Sequence, residues 1–349
     1  MGDDTGGTVP GGAVPNEAAS IEAPSDGATS DSGMAGDGMA GDGFEEHRRY
    51  LTSVAYRLLG SVADAEDAVQ DAWLRWRTVD RASVQDPRAY LTRVVTRLCY
   101  DMLGSARARR EAYYGEWLPE PLLTDGEADG APKSPEDLAT LGESVSFAML
   151  AVMEQLTPAE RAAFVLHDVF AVGFEEIAAA LEKTPDAARQ LASRARRRVR
   201  ERPGAQRRGE RGPVGRAEHR KAVEAFAAAT LRGDLPALLT VLAPDVVWHS
   251  DGGGVVRGAG VRPVATADRV SRLLAGLGAR WLLPDMTFEL TDVNGDPGLV
   301  MHDERGVLIA VFAFAVEDGR IVEAFASLNP AKLAHLPGGG EFSHHLRQL

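Results

Sequence analysis

FEEIAAALEKTPDAARQLASRARRRVR, Phe174 to Arg200, is the stretch on which the reading of this chain turns. Phe174, Ile177, Ala178 and Leu181 recur at helical spacing, so its first half predicts a short amphipathic helix. Glu182 and Lys183 interrupt that pattern. Thr184 then offers an N-cap, Pro185 suits the first helical position, and Asp186 suits the positive end of a helix dipole. The second helix carries Ala188, Leu191, Ala192, Ala195 and Val199 as one apolar stripe. Its other face carries Gln190, Ser193, Arg194 and Arg197, flanked by Arg189, Arg196 and Arg200. Two short helices about a tight turn, the second basic on its outer face, describe a helix-turn-helix. A solvated basic helix in an ordinary bundle is the competing reading of this stretch alone.

Upstream the pattern is also helical. Phe44 to Leu59 places Leu51, Val54, Ala55, Leu58 and Leu59 on one side and stops at Gly60. After Ser61 a second stripe runs through Ala65, Ala68, Val69, Ala72, Trp73 and Trp76. Opposite it lie Asp64, Glu66, Asp67, Gln70 and Asp71, a face that is either plainly solvated or a docking surface for a basic partner. Asp86-Pro87 caps a third helix that buries Leu91, Val94, Val95, Leu98 and Met102. Arg93, Thr96, Arg97 and Tyr100 are expected outward with Asp101 beside them, and Arg107, Arg109 and Arg110 follow. Cations mixed with an aromatic on one face suit melted nucleic acid, where a base stacks while arginines hold phosphates.

Residues 111–135 break the pattern with WLPEPL at 117–122 and an acidic, glycine- and proline-bearing run, and helices resume near Pro135. Leu156 to Glu160 contains a capping box with proline at the first helical position. Residues 201–216 form a second linker of Arg, Gly and Pro. Beyond Ala217 one or two helices give way to strands. Met286–Val293 alternates, Val307–Val316 is apolar and β-branched, and Asp318-Gly319 signals a hairpin into Ile321–Ala326.

The chain has 349 residues, enough for two or three domains, and 44% of them are hydrophobic. Its one cysteine, Cys99, excludes an internal disulfide or cysteine cluster and suits a reducing cytosol. No run approaches the ~20 apolar residues of a membrane span. The net charge of −13 argues against nucleic acid only superficially. Residues 1–43 carry acids and no Lys or Arg, whereas arginines crowd 107–110 and 189–220, and the local face decides. Residues 1–43, with MAGDG twice in tandem, are expected to be disordered.

DAEDAVQDAWLRW at 64–76, the arginine-bearing helix at 87–110 and the helix-turn-helix together resemble bacterial sigma factors of the extracytoplasmic function subfamily, which keep conserved regions two and four. Residues 217–333, with GDLPALLTVLAPDVV, resemble a SnoaL-like domain. WLPEPL, DGGG at 251–254 and NPAKL at 329–333 resemble the marks of the subgroup that carries this extension, although Val255 and Ala331 stand where Lys and Asp are usual. The resemblance implies two all-α sigma domains followed by an α+β cone-shaped barrel. The boundaries expected are a tail at 1–43, region two at 44–112, a linker at 113–135 and region four at 136–202. A second linker follows at 203–216, then the SnoaL-like domain at 217–333 and a flexible tail at 334–349.

The resemblance also assigns roles. Asp64, Glu66, Asp67, Gln70 and Asp71 would grip the clamp helices of the largest subunit of core RNA polymerase. Arg97 and Asp101 would help read or hold the melted minus-ten element, beside Arg93 and Tyr100 of the same nucleic-acid-suited face, and Arg189, Gln190, Ser193, Arg194 and Arg197 would lie in the major groove at the minus-thirty-five element of promoter DNA. Trp117, Leu118 and Pro119, with Asp251, Gly252, Gly253 and Gly254 and with Asn329, Pro330, Lys332 and Leu333, would join the extension to the sigma domains, so that no separate anti-sigma protein is needed. The implied protein is a cytoplasmic transcription initiation factor without metal or cofactor. The rival reading is a small-molecule enzyme fused to a DNA-binding module. It rests on His249 and Asp251, which two apart on a strand share a face and suit acid–base work. His249, Arg257, Trp281, Phe312 and Phe314, with Asp251 and Met301, are the expected lining of a small-molecule pocket.

Overall fold

The computed structural model describes residues 43–111, 113–124, 145–201, 212–256, 259–281 and 286–340, without the side chains of 106–109, 111, 212–214 and 278–281. Residues 1–42 of the expected tail, the acidic run after Thr124 and residues 202–211 fall outside this set, as do His344 and His345, whereas residues 212–216, expected as the end of the second linker, are the start of a helix. Helix α1 (Glu45–Leu59) stops at Gly60, whose φ of 70° is a left-handed conformation that glycine adopts without strain. Ser61 Oγ accepts from the Asp64 amide and opens α2 (Val62–Trp76). Asp86 Oδ1 accepts from Ala89 N at 3.0 Å and opens α3 (Pro87–Glu111).

Helix α4 (Phe147–Met153) is followed by α5 (Pro158–Phe164), which starts on the expected capping box of Thr157 and Glu160 and runs on into a π turn at Val165–Val169. Helix α6 (Phe174–Leu181) ends at Glu182 with φ 54°, and Thr184 caps α7 (Pro185–Arg200). Ala188, Leu191, Ala192, Ala195 and Val199 are all buried. Helices α5 and α6 pack against α3, so both helical modules share one continuous core from Phe44 to Val199. That packing corrects one expectation. Thr96, read as outward, is fully buried, because the second module adds a contact on α3 that helical periodicity cannot foresee.

The C-terminal half begins with α8 (Gly212–Arg232) and α9 (Leu235–Val241), followed by β1 (Leu242–Asp251), β2 (Val264–Ala265) and α10 (Ala267–Trp281). Strands β3 (Thr287–Val293), β4 (Asp296–His302), β5 (Leu308–Glu317) and β6 (Arg320–Ser327) complete it, with a last turn of helix, α11 (Pro330–Leu333). The six strands form one sheet in the order β2-β1-β6-β5-β4-β3, with β1 and β6 parallel and the other pairs antiparallel.

Both faces of this sheet are covered. Trp248, Met301, Phe312 and Phe314 pack with Phe226 and the other helix residues of α8 to α10. Val293, Val300, Val311, Ala313 and Phe325 pack instead with Leu118 of the linker, Phe147 of α4 and Leu333 of α11. Double coverage is the reason β5 is apolar from Leu308 through Val316, where a one-sided strand would alternate. Among the described residues no helix is long and apolar enough to cross a membrane.

Candidate functional site

The linker is the part of the chain that meets every domain. Asp251, at the end of β1 and fully buried, holds its start with four donors. Tyr113 Oη donates to Oδ1 at 2.6 Å and Gly253 N at 3.0 Å, while Leu118 N donates to Oδ2 at 2.9 Å and Lys332 Nζ at 2.6 Å. Lys332 Nζ also donates to the Leu118 carbonyl. Burial pulls the Lys332 pKa down, against the opposing pull of Asp251. Burial and the Asp251 carboxylate push the Tyr113 phenol up, which keeps it a donor. The Trp117 ring lies between two cations, with the Arg110 guanidinium 3.9 Å and the Lys332 ammonium 3.8 Å from its centroid.

The glycines beside Asp251 are close-approach positions. A Cβ on Gly253, whose φ is 62°, would lie 2.5 Å from Asn329 Nδ2, and one on Gly252 would lie 2.5 Å from the Ala259 side chain. Asn329 caps α11 through Ala331 N and donates to Tyr113 Oη at 2.8 Å. Asp251-Gly-Gly-Gly and Asn329 to Leu333 therefore converge on Tyr113, Trp117 and Leu118.

The far end of the linker is held by residues that the sequence reading passed over. Asn294, with φ 51°, exchanges hydrogen bonds with Leu122: its amide donates to the Leu122 carbonyl at 2.8 Å and its Oδ1 accepts from Leu122 N at 3.1 Å. Its Nδ2 donates to Tyr56 Oη at 2.8 Å on α1, and Tyr56 Oη donates to the Glu120 carbonyl at 2.7 Å. Glu120 Oε2 accepts from Val62 N at 2.7 Å, at the start of α2. Leu123 bridges Val293, and Thr124 N donates to the Asp292 carbonyl at 2.9 Å, so the linker adds to the edge of β3. His335 meets the Pro121 carbonyl at 2.8 Å. Asn294-Gly295 is a hairpin signal that marks this turn in the sequence, but nothing local names its distant partners.

The DNA-reading residues inferred from the sequence fall on two surfaces. Gln190, Ser193, Arg194 and Arg197 are exposed on α7. Arg194 Nε donates to Glu160 Oε1 at 3.2 Å, and Arg198 pairs with the other oxygen of Glu160 at 2.7 Å. Burial raises the Glu160 pKa, but its hydrogen bonds to Thr157 and Arg194 outweigh that and hold it below the usual value. Arg189 pairs with Asp186 and Glu175 at 2.7 and 3.2 Å. On α3, Arg93 is exposed, with its guanidinium 5.6 Å from the Tyr90 ring, and Tyr100 is half-buried. Arg97 is 3.5 Å from Asp101 and 2.8 Å from Glu182, the residue at the turn of the helix-turn-helix. The two surfaces therefore touch. Glu154 adds a further tie by pairing with both Arg110 of α3 and Arg161 of α5. Glu66, Asp67, Gln70 and Asp71 are exposed on α2, and Asp64 is half-buried.

The pocket expectation needs correction. A cavity of about 70 Å³ lies between the sheet and the helices α8 and α10, and its lining includes Met301 and Phe312. His249 does not line it. Along β1, Trp248 and Ser250 face the cavity, so His249 and Asp251 face the linker. His249 Nδ1 lies 2.6 Å from Glu116 Oε1, its Nε2 lies 3.8 Å from Glu323 Oε1, and its ring stacks on Phe325. Burial lowers its pKa, but the Glu116 and Glu323 carboxylates overcome that and raise it to about 9. Phe314 sits in the solid core beside Phe226 rather than on the cavity wall. Arg257 and the side chain of Trp281 lie outside the described residues. Alternation places His249 and Asp251 on one face, as expected, but which face depends on how β1 pairs with β6 and β2. Among the described residues no group of three or more His, Cys, Asp or Glu is placed to hold a metal ion.

Residues 44–109 match the sigma-70 region 2 family, residues 146–199 the sigma-70 region 4 family and residues 223–324 the SnoaL-like domain family. The chain is 42% identical over 302 residues to the ECF RNA polymerase sigma factor SigJ of Mycobacterium tuberculosis, covering 84% of this chain and 93% of that one. It is 35% identical over 300 residues to the probable ECF RNA polymerase sigma factor SigI of the same organism, covering 84% and 96%. The crystal structure of Mycobacterium tuberculosis SigJ superposes with a TM-score of 0.66 at 38% identity, covering 83% of this chain and 97% of that one.

Proposed function

We propose, from the premise that this chain belongs to the ECF RNA polymerase sigma factors and ends in a SnoaL-like domain, that the arrangement described above is a closed form which must open before it directs initiation. As a sigma factor it recognises promoters with core RNA polymerase. The observation that carries the closed-form reading is the contact of Arg97 with Glu182. Elements named minus ten and minus thirty-five are about 25 base pairs apart, or roughly 85 Å at ~3.4 Å per step. Arg97 and the helix-turn-helix cannot read both while they share an ion pair and a core.

The SnoaL-like domain then acts in cis. It holds the linker at Asp251 and Lys332, and again at Asn294. Freeing α5 and α6 from α3 on a tethered module requires slack in that linker. A clasp of this kind takes the place of a separate inhibitory protein, which is why none is required in this reading. The acidic face of α2 stays exposed and is suited to the clamp helices of the largest polymerase subunit. Tethering to polymerase raises the effective concentration of both DNA-reading surfaces, so an acidic protein needs little intrinsic affinity for DNA. A cytosolic site of action follows from these partners. The enzyme reading is weakened, since His249 and Asp251, the pair it rested on, face the linker.

Run-off transcription with core polymerase tests this. Full-length protein, a chain ending at residue 216 and a full-length chain with the Asn294 clasp removed are compared on one promoter. Higher output from either altered chain is expected. Equal output from all three overturns cis control.

A further inference from the structure

Glu160 is an acid set inside a basic face. Its side chain is 4% exposed and belongs to α5, while the cations around it belong to α7. Oε2 closes the capping box, accepting from Thr157 N at 3.2 Å and from Thr157 Oγ1 at 2.9 Å. A capping box needs only an acceptor at this position, which glutamine also supplies. The same carboxylate is turned to the recognition helix. Oε1 accepts from Arg194 Nε at 3.2 Å, and Oε2 also accepts from Arg198 Nη1 at 2.7 Å, one turn further along α7. A carboxylate on a surface meant for phosphates repels the DNA it faces. A neutral cap would serve the fold, so the charge calls for another reason.

The geometry of Arg194 supplies it. Nε donates to Glu160, which turns one edge of the guanidinium inward. The side chain is 48% exposed, and Nη1 and Nη2 have no hydrogen-bond partner among the described residues. Those two nitrogens are the end of the fork that makes parallel hydrogen bonds to a pair of neighbouring acceptors. Guanine offers such a pair, O6 and N7, in the major groove.

We propose that Glu160 is a positioning residue for promoter recognition: it fixes Arg194 so that the terminal fork reads one guanine of the upstream element. Both residues lie in the region-four module, within 146–199, so opening of the chain does not part them. This role rests on α7 being the helix that enters the major groove there, and does not depend on the closed form. Glu160 then gives up affinity for discrimination. Its charge weakens attraction to any DNA, while the held fork tells one base pair from the others.

The test uses the full-length protein in holoenzyme with core polymerase. Run-off transcription is measured on one promoter and on copies altered base by base in the upstream element, with binding to a random-sequence duplex measured alongside. Glu160→Gln keeps the capping box and removes the charge. It should lower the preference for guanine at one position about fivefold, on the order of the rotamer entropy that the anchor spares an arginine. It should bind the random duplex no more weakly than the parent, whereas a role confined to folding would lower both together. In an Arg194→Ala background Glu160→Gln should change base preference no further. Ratios between promoters cancel any open–closed balance, so a failure of cis control leaves this result intact. In the parent, side-chain nitrogen relaxation should find Arg194 Nε ordered and Arg197 Nε mobile, a comparison that needs no variant to fold. Unchanged base preference in Glu160→Gln, an equal loss at every position, a further loss in the Arg194→Ala background, or an Arg194 Nε as mobile as that of Arg197 would each overturn the assignment. If Arg194→Ala loses the preference and Glu160→Gln keeps it, α7 reads the element without Glu160. If neither loses it, the placing of Arg194 in the groove fails as well.

Discussion

Tyr56 Oη on α1 and Asn294 Nδ2 in the β3–β4 turn stand 2.8 Å apart, joining positions separated by 238 residues. Burial pushes the Tyr56 phenol well above its ordinary pKa, against the hydrogen bond from Asn294, so the hydroxyl stays protonated and can donate to Glu120. Asn294→Gly keeps the left-handed backbone while removing both side-chain bonds. Each neutral bond is worth ~1 kcal/mol, so the closed form should lose about 2 kcal/mol. Faster amide exchange at Leu122 and higher transcriptional output are the expected results. Tyr56→Phe should cost less on top of Asn294→Gly than alone, because only its bond to the Glu120 carbonyl is then left to lose. Full additivity would show that the two side chains act independently.

Asp251 and Lys332 form a buried pair whose members are not equivalent. Asp251→Asn leaves a buried ammonium without its carboxylate, at a cost of about 3–5 kcal/mol. Lys332→Met leaves Asp251 with Tyr113, Leu118 and Gly253 still donating, and should cost clearly less. Denaturant midpoints of the two variants and of the double variant check the order. A milder loss in Asp251→Asn than in Lys332→Met would contradict the account.

Much of this was legible locally. The stripe from Ala188 to Val199, the caps at Thr157 and Thr184 and the Asp318-Gly319 turn are consequences of neighbours within a few residues, and the structure forms each of them. Strand β4 was not, because Pro297 and Gly298 mask it; a Cβ on Gly298 would come within 2.6 Å of the Phe312 carbonyl, so glycine is there for packing and not for a turn. The face that His249 takes, the burial of Thr96 and the partners of Asn294 all depend on contacts between distant segments. No spacing along the chain carries that information.

The link between His249 and Glu116 makes stability depend on pH. The imidazole pKa is raised from 6.5 to about 9. A raised value means that the folded state holds the proton more tightly. The stabilisation is therefore complete below about pH 6.5 and is lost as pH rises through 9, amounting to on the order of 3 kcal/mol. Glu116 of the linker and Glu323 of β6 are the carboxylates that face the ring. Unfolding in denaturant at pH 6.5, 8 and 9.5 should show a progressive fall that His249→Gln removes. A pH profile that is the same in parent and variant would sink this.

Arg197 and Arg194 separate recognition from folding. Arg197 is exposed and has no ion pair among the described residues, whereas Arg194 is tied to Glu160 at the cap of α5. Arg197→Ala should leave the melting temperature unchanged. If Arg197 meets a base edge, it should lower promoter-specific initiation by an amount worth about 1–3 kcal/mol. Arg194→Ala should lower initiation too, with a stability loss of up to ~1 kcal/mol, because a half-exposed ion pair contributes little. The measurement is run-off transcription on promoters altered base by base in the upstream element. A loss in Arg197→Ala that is uniform over all of them, and shrinks as salt is raised, would assign Arg197 to a phosphate instead of a base.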